Sequence, residues 1–136
     1  MFVLVGVVSS AFVFGLSWRV SQEFQVIGII LLLVVEGSYL LTAVASPGVG
    51  ETDKHEAGAD DSLLYSLYCQ NCASYQPPAT VHCIHCDICI LNRDHHCPWV
   101  GKCIGRDNSV FFSLFLSSLL GLIGYILLCS VLAKPK

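Results

Sequence analysis

Charge is what this sequence has least of. Charged residues make up 12% of its 136 residues, against about 25% in an ordinary soluble domain, while 54% are hydrophobic. The deficit excludes a conventional water-facing surface over much of the chain and points to lipid as solvent. An excess of basic charge is lacking too: seven Lys and Arg against ten Asp and Glu leave a formal charge of −3. That excludes the cationic surface that nucleic-acid binding needs. No basic segment precedes the first apolar run, which begins at Met1, so this run is expected to be a membrane span rather than a cleaved signal peptide. Cysteine and histidine, by contrast, are plentiful. Eight Cys and five His are too many for a chain of this size to be incidental, and they point to a bound metal.

Three apolar runs, residues 1–18, 24–45 and 110–133, each approach the roughly 20 residues needed to cross the hydrocarbon core as a helix. Residues 1–45 are expected to form a transmembrane hairpin, with Trp18 at the interface and a short link from Arg19 to Glu23. Ser46-Pro47-Gly48 ends the second helix, and residues 46–67 read as an acidic, hydrated linker. Residues 110–136 form the third helix and a short tail, on which Ser113, Ser117, Gly121 and Gly124 are spaced as a packing face. Glu36, inside the second span, is either a functional group or a bundle-facing polar contact, and the packing role is favoured. Cys129, among Leu and Val, reads as a small apolar residue.

Between these spans, residues 68–109 hold seven Cys and four His with few large aliphatics, so the segment needs a source of stability other than an apolar core. The order is Cys69-x-x-Cys72, His82-Cys83-x-x-Cys86-x-x-Cys89, Asp94-His95-His96-Cys97, then Cys103; the only repetition noticed is Cys-x-x-Cys. Thiolate and imidazole are the ligands tetrahedral structural zinc prefers. A disulfide framework explains neither the odd count of seven Cys nor the interspersed His. Two tetrahedral sites need eight ligands, and eleven candidates leave three over. On counting alone, Asp94-His95-His96-Cys97 has two readings that both stand. Either all four ligate or surround metal, or one His serves a metal while the other activates a thiol, held by a carboxylate.

The segment from Cys69 to Asn108 resembles the cysteine-rich domain of the DHHC family of protein S-acyltransferases, the palmitoyltransferases. The likeness runs through Pro77, His82-Cys83, Asp94-His95-His96-Cys97, Trp99, Cys103, Gly105 and Asn108. It implies one zinc on Cys69, Cys72, His82 and Cys89, and a second on Cys83, Cys86, His96 and Cys103. Both ions would be structural. It further implies Cys97 as nucleophile, His95 as general base and Asp94 as the group that orients His95. The implied reaction takes a long-chain acyl group from palmitoyl-CoA or another acyl-CoA onto Cys97, then onto membrane-proximal cysteines of substrate proteins. Arg93, Lys102 and Arg106 flank the active sequence and are candidates for the CoA phosphates, with interfacial anchoring as the other reading.

The fold class expected is therefore an all-α polytopic membrane protein with three transmembrane helices and a small loop-rich, double-zinc domain. A reducing cytosol preserves zinc thiolates, and the family's usual address is the ER or Golgi. Lipid, acyl-CoA, substrate proteins and other family members in homo- or hetero-oligomers are the implied partners. The chain departs from the family pattern at Gln76 and Ala79, where basic residues are usual, at Lys102 for Asn, and at Ser46 before Pro47-Gly48. The family's fourth span is not present, so a short or truncated member is expected. Two other readings are an inactive short form that binds full-length relatives and a membrane-anchored zinc adaptor.

Overall fold

The computed structural model describes residues 10, 11, 15, 20–50 and 68–133. The first expected span, residues 1–18, lies almost wholly outside the described residues, as do residues 51–67 of the expected linker. Two helices, α1 (Gln22–Val44) and α2 (Ser109–Leu132), flank six short strands: β1 (Tyr68–Cys69), β2 (Ser74–Tyr75), β3 (Thr80–Cys83), β4 (Ile88–Leu91), β5 (His95–Cys97) and β6 (Lys102–Ile104). The chain divides into two compact units, residues 1–40 with 111–136, and residues 41–110.

In the helical unit, Ser21 opens α1, its Oγ 3.5 Å from the Phe24 amide nitrogen, and Glu23 follows in the first turn, where negative charge meets the positive end of the helix dipole. At about 1.5 Å per residue the two helices are each roughly 35 Å long, more than the roughly 30 Å hydrocarbon core. Both are long and apolar enough to cross a membrane. Val35, Leu122, Tyr125 and Cys129 form the buried cluster, with Phe24, Leu31, Phe115 and Leu119 packed against it. The Tyr125 hydroxyl donates to the Phe24 carbonyl, and the Tyr39 and Phe115 rings meet edge-on at 5.5 Å, a favoured aromatic geometry.

This stripe is not the one the small residues suggested. Ser113, Ser117, Gly121 and Gly124 are exposed, and a Cβ at either glycine would meet nothing within 4 Å. Among the described residues the contact is made by large side chains and a tyrosine hydrogen bond. Glu36 likewise lies on the exposed side of α1. Cys129 is buried among apolar neighbours.

The second unit corrects the all-α, loop-rich expectation. It is built from three antiparallel hairpins, β1–β2, β3–β4 and β5–β6. Strands of two to four residues are too short to show a period-two pattern, and their stability does not come from a large apolar face. Ala73, Asp87 and Gly101 stand at the three hairpin tips with φ of 49°, 54° and 75°, the left-handed conformation a tight return needs. After α1 the chain turns at Gly48, whose φ is +88°, and runs beside β4. There Leu91 N–H donates to the Gly48 carbonyl at 2.8 Å and Gly50 N–H to the Cys89 carbonyl at 3.0 Å. Residues 48–50 thus belong to this unit rather than to a hydrated linker. Backbone groups make the pairing, so composition gives no sign of it.

Gly105 sits where these strands converge. A Cβ there would stand 2.4 Å from the Pro47 carbonyl oxygen and 2.6 Å from Ile90 Cγ2, and Ile90 is fully buried. Backbone cannot swing aside as a flexible side chain does. Gly105→Ala is therefore expected to destabilise this unit by about 1–3 kcal/mol, the usual cost of overpacking. A lowered thermal midpoint and faster loss of zinc to a chelator would show it, and an unchanged midpoint would count against the close approach.

Candidate functional site

Successive side chains on a strand point to opposite faces, and this alone explains the interleaving of the ligands. On β3, His82 and Cys83 are neighbours, so they face opposite ways. His82, with its cross-strand partner Cys89, meets Cys69 and Cys72 from the tip of the β1–β2 hairpin. Cys83 instead joins Cys86 at the tip of its own hairpin, and this pair meets His96 and Cys103, which are partners across β5–β6. Each hairpin tip is thereby tied to the strands of the next hairpin.

The donor sets fit zinc in chemistry and in size. In the first, His82 Nδ1 lies 3.7, 3.3 and 3.8 Å from the sulfurs of Cys69, Cys72 and Cys89, and the Cys72 and Cys89 sulfurs are 3.5 Å apart. In the second, His96 Nδ1 lies 3.7, 3.3 and 3.8 Å from Cys83, Cys86 and Cys103, with Cys86 and Cys103 3.7 Å apart. A tetrahedron with zinc–sulfur bonds of about 2.3 Å and zinc–nitrogen bonds of about 2.0–2.1 Å sets its corners roughly 3.5–3.8 Å apart. These sulfurs are far beyond disulfide length, about 2.05 Å, and all are free.

Within each set the thiols are shifted in opposite directions. The backbone N–H of Cys72 holds the Cys69 thiol below its ordinary value. Burial, reinforced by Cys69 and Cys72, pushes Cys89 up to about 12. In the second set burial acts against the N–H of Cys86, the Cys103 side chain and the N–H of His85, which together bring Cys83 down to about 6. Burial and Cys83 push Cys103 up to about 11 against the pull of Arg93. In each set the neighbours lower one thiol and raise another, and a divalent cation among them would favour the thiolate form of both. Asp87 Oδ1 stands 3.6 Å from His82 Nε2, the carboxylate placement that orients a ligating imidazole. The ring of His85, left over in the ligand count, lies 4.8 Å from that of His96.

The same pleat divides Asp94-His95-His96-Cys97. His96 turns to the second set, so His95 and Cys97 share the other face of β5. Asp94 Oδ2 is 3.3 Å from His95 Nδ1, and Cys97 is buried and belongs to neither metal set. The three cations expected at CoA phosphates have partners within the unit. The sulfurs of Cys103 and Cys83 hold the Arg93 guanidinium above its ordinary range, Lys102 Nζ donates to the Ala45 carbonyl at 2.9 Å, and Arg106 pairs with Asp107 at 2.7 Å, holding that carboxyl below its usual range.

Two features escaped the sequence reading. Asn108 is fully buried; its Nδ2 donates to the Cys103 carbonyl at 3.0 Å and its Oδ1 accepts from Gly105 N–H at 2.9 Å, tying the start of α2 to a ligand strand. Asn108→Ala orphans both groups, at about 1–3 kcal/mol each, and is expected to lower the thermal midpoint clearly; a neutral result would mean the two bonds do not form. The other feature is a repeat. The pattern Cys-x2-Cys-x9-His-x6-Cys occurs twice, each ligand of the second set standing fourteen residues after its counterpart in the first. The spacing was readable from the sequence, since aligning the chain with itself at fourteen residues finds it.

Residues 64–133 match the family model of the DHHC palmitoyltransferase. The chain is 34% identical to Palmitoyltransferase ZDHHC5 of Mus musculus, covering 92% of this chain and 20% of that protein. It is 36% identical to Palmitoyltransferase ZDHHC8 of Mus musculus (85% and 18%) and 35% identical to Palmitoyltransferase ZDHHC8B of Danio rerio (85% and 18%). It thus spans about a fifth of the length of the curated relatives it matches. The matched region takes in all three hairpins and α2, and the chain belongs to the DHHC palmitoyltransferase family.

Proposed function

We propose that this chain carries the acyl-transfer site of a protein S-palmitoyltransferase. Cys97 Sγ attacks the thioester carbonyl of a long-chain acyl-CoA, His95 takes the thiol proton, and Asp94 holds His95 in the tautomer that can accept it. The bond from the carbonyl carbon to the CoA sulfur breaks, CoA leaves as its thiol with the proton returned by His95, and the acyl group stays on Cys97. A cysteine of a substrate protein then attacks this new thioester and restores Cys97. The observation that carries the reading is the division of β5: His95, beside Asp94, shares a face with Cys97, while His96 between them turns to a metal set.

Cys69, Cys72, His82 and Cys89, and Cys83, Cys86, His96 and Cys103, would each hold one zinc ion, which would keep the hairpins folded and supply no reacting group. Arg106, on the exposed surface, is assigned to the CoA phosphates, with Lys102 and Arg93 adding charge nearby. Residues 68–109 form the zinc domain, facing the cytosol of an endomembrane, and residues 1–18, 24–45 and 110–133 are the spans. Lipid is the natural solvent for the acyl chain, at about 0.8 kcal/mol per buried CH₂.

The test is incubation of the purified, zinc-loaded chain in detergent with labelled palmitoyl-CoA. Hydroxylamine-sensitive label on the protein is expected. A folded chain with both ions and no label would contradict the reading.

A further inference from the structure

The fourteen-residue repeat does not stop at two. The hairpin β5–β6 has the construction of the two before it: Cys97 stands fourteen residues after Cys83, and the left-handed tip residue Gly101 fourteen after Asp87. The tip is closed by the same bond, Gly101 N–H to the Cys97 carbonyl at 2.8 Å, as Asp87 N–H to the Cys83 carbonyl at 2.8 Å. His96-Cys97 also repeats His82-Cys83, a ligand for one ion followed by a cysteine turned to the opposite face. What differs is the second ligand position of the tip, where Val100 stands in place of Cys72 and Cys86. A following hairpin that could complete a third set is absent too, because the chain enters α2 at Ser109.

We propose that the β5–β6 hairpin is a third metal-binding hairpin left incomplete, and that Val100, standing at its second ligand position, keeps Cys97 free of metal and available for acyl transfer. Cys97 has no second thiol at its hairpin tip, whereas a cysteine at position 100 would face it as Cys86 faces Cys83. Val100 acts only through Cys97, so it is a positioning residue. The acyl-transfer part of this claim rests on the function proposed above; the metal part stands on the hairpin geometry.

The test compares V100C, V100A and V100H with the wild type, each as the full zinc-loaded chain, using phenylarsine oxide as a dithiol probe. The arsenic exchanges its oxygen for two As–S bonds, and the oxygen leaves as water with the two thiol protons. Expected is one arsenical bridging residues 97 and 100 in V100C, found by peptide mass, with both zinc ions retained and no such bridge in the wild type or V100A. Acyl label on bridged V100C falls by about tenfold or more and returns with excess dithiol, as blocking of a nucleophile requires. V100H is expected to hold a third ion when Cd²⁺ is added, the wild type none beyond two. An unbridged V100C that keeps both zinc ions overturns the proposal. So does zinc loss from V100C and V100H while V100A keeps both, because a ligand at 100 then does not fit the tip. Zinc loss from all three makes Val100 a packing residue and also overturns it. Bridging without acyl label on any variant would sink the acyl-transfer reading and leave the metal claim standing.

Discussion

Cys97→Ser abolishes hydroxylamine-sensitive acyl label and leaves the zinc content at two ions per chain. The expected loss is at least about a thousandfold, as for removal of a nucleophile in other covalent enzymes, since a serine hydroxyl is a far weaker nucleophile than a thiol beside His95. The zinc content is unchanged because Cys97 belongs to neither ligand set. Serine nearly matches cysteine in volume, so the buried site on β5 is not reshaped. Label and metal are measured on the same preparation, by scintillation after gel separation and by elemental analysis. A C97S chain that keeps its label, or loses one of its ions, contradicts the division of roles along β5.

Cys83→Ser gives the opposite pattern. It removes one of four ligands from the second set, and the zinc content falls from two ions to one. Structural zinc in small peptides contributes on the order of 10–16 kcal/mol, comparable to or larger than the whole stability of an ordinary domain, about 5–15 kcal/mol. An ion held by Cys83, Cys86, His96 and Cys103 would tie the tip of β3–β4 to the strands of β5–β6, and losing it would free the hairpin that carries Cys97. Acyl label therefore falls as well, although Cys97 is intact, and amide exchange over residues 95–104 accelerates. A C83S chain with two zinc ions and slow exchange there would show that the second set is not what holds the hairpin.

The contrast between these variants reflects how unevenly the molecule can be read from residues alone. Ligand chemistry is written in residue types, so the metal-binding character of residues 68–109 was legible, whereas residue types alone left two readings of Asp94-His95-His96-Cys97 standing, and the roles proposed for Asp94, His95 and Cys97 come from the family resemblance. α1 and α2 were legible from the length of their apolar runs. The hairpins were not, because strands such as Tyr68–Cys69 and Ser74–Tyr75 are shorter than any periodicity they could display. Nor was the helix contact, since α2 is apolar all round and nothing in its pattern singles out Leu122, Tyr125 and Cys129.

Long-range pairing was the other blind spot. Lys102 reads as a candidate for the CoA phosphates or an interfacial anchor, and nothing in its neighbours announces that it donates to the carbonyl of Ala45, fifty-seven residues earlier, where a positive charge suits the end of α1. Arg93 reads the same way, and the sulfurs of Cys103 and Cys83 hold its guanidinium above the ordinary range. Its counterpart fourteen residues earlier is Ala79, so the two sets, alike in their ligands, differ in the charge around them. The division of β5 sits between the two cases. Strand alternation dictates it once the strand is known, but four adjacent residues of ligating type conceal the strand.

On the function proposed, one chain holds two structural zinc ions and, apart from them, a cysteine that carries the acyl group. Native mass spectrometry of the detergent-released protein after brief exposure to palmitoyl-CoA tests it most directly. Expected is a single species bearing one acyl group and two zinc ions together, with the acyl group lost to hydroxylamine and both ions kept. An acylated species that is always short of one zinc would contradict it, because the acylated cysteine would then be a metal ligand.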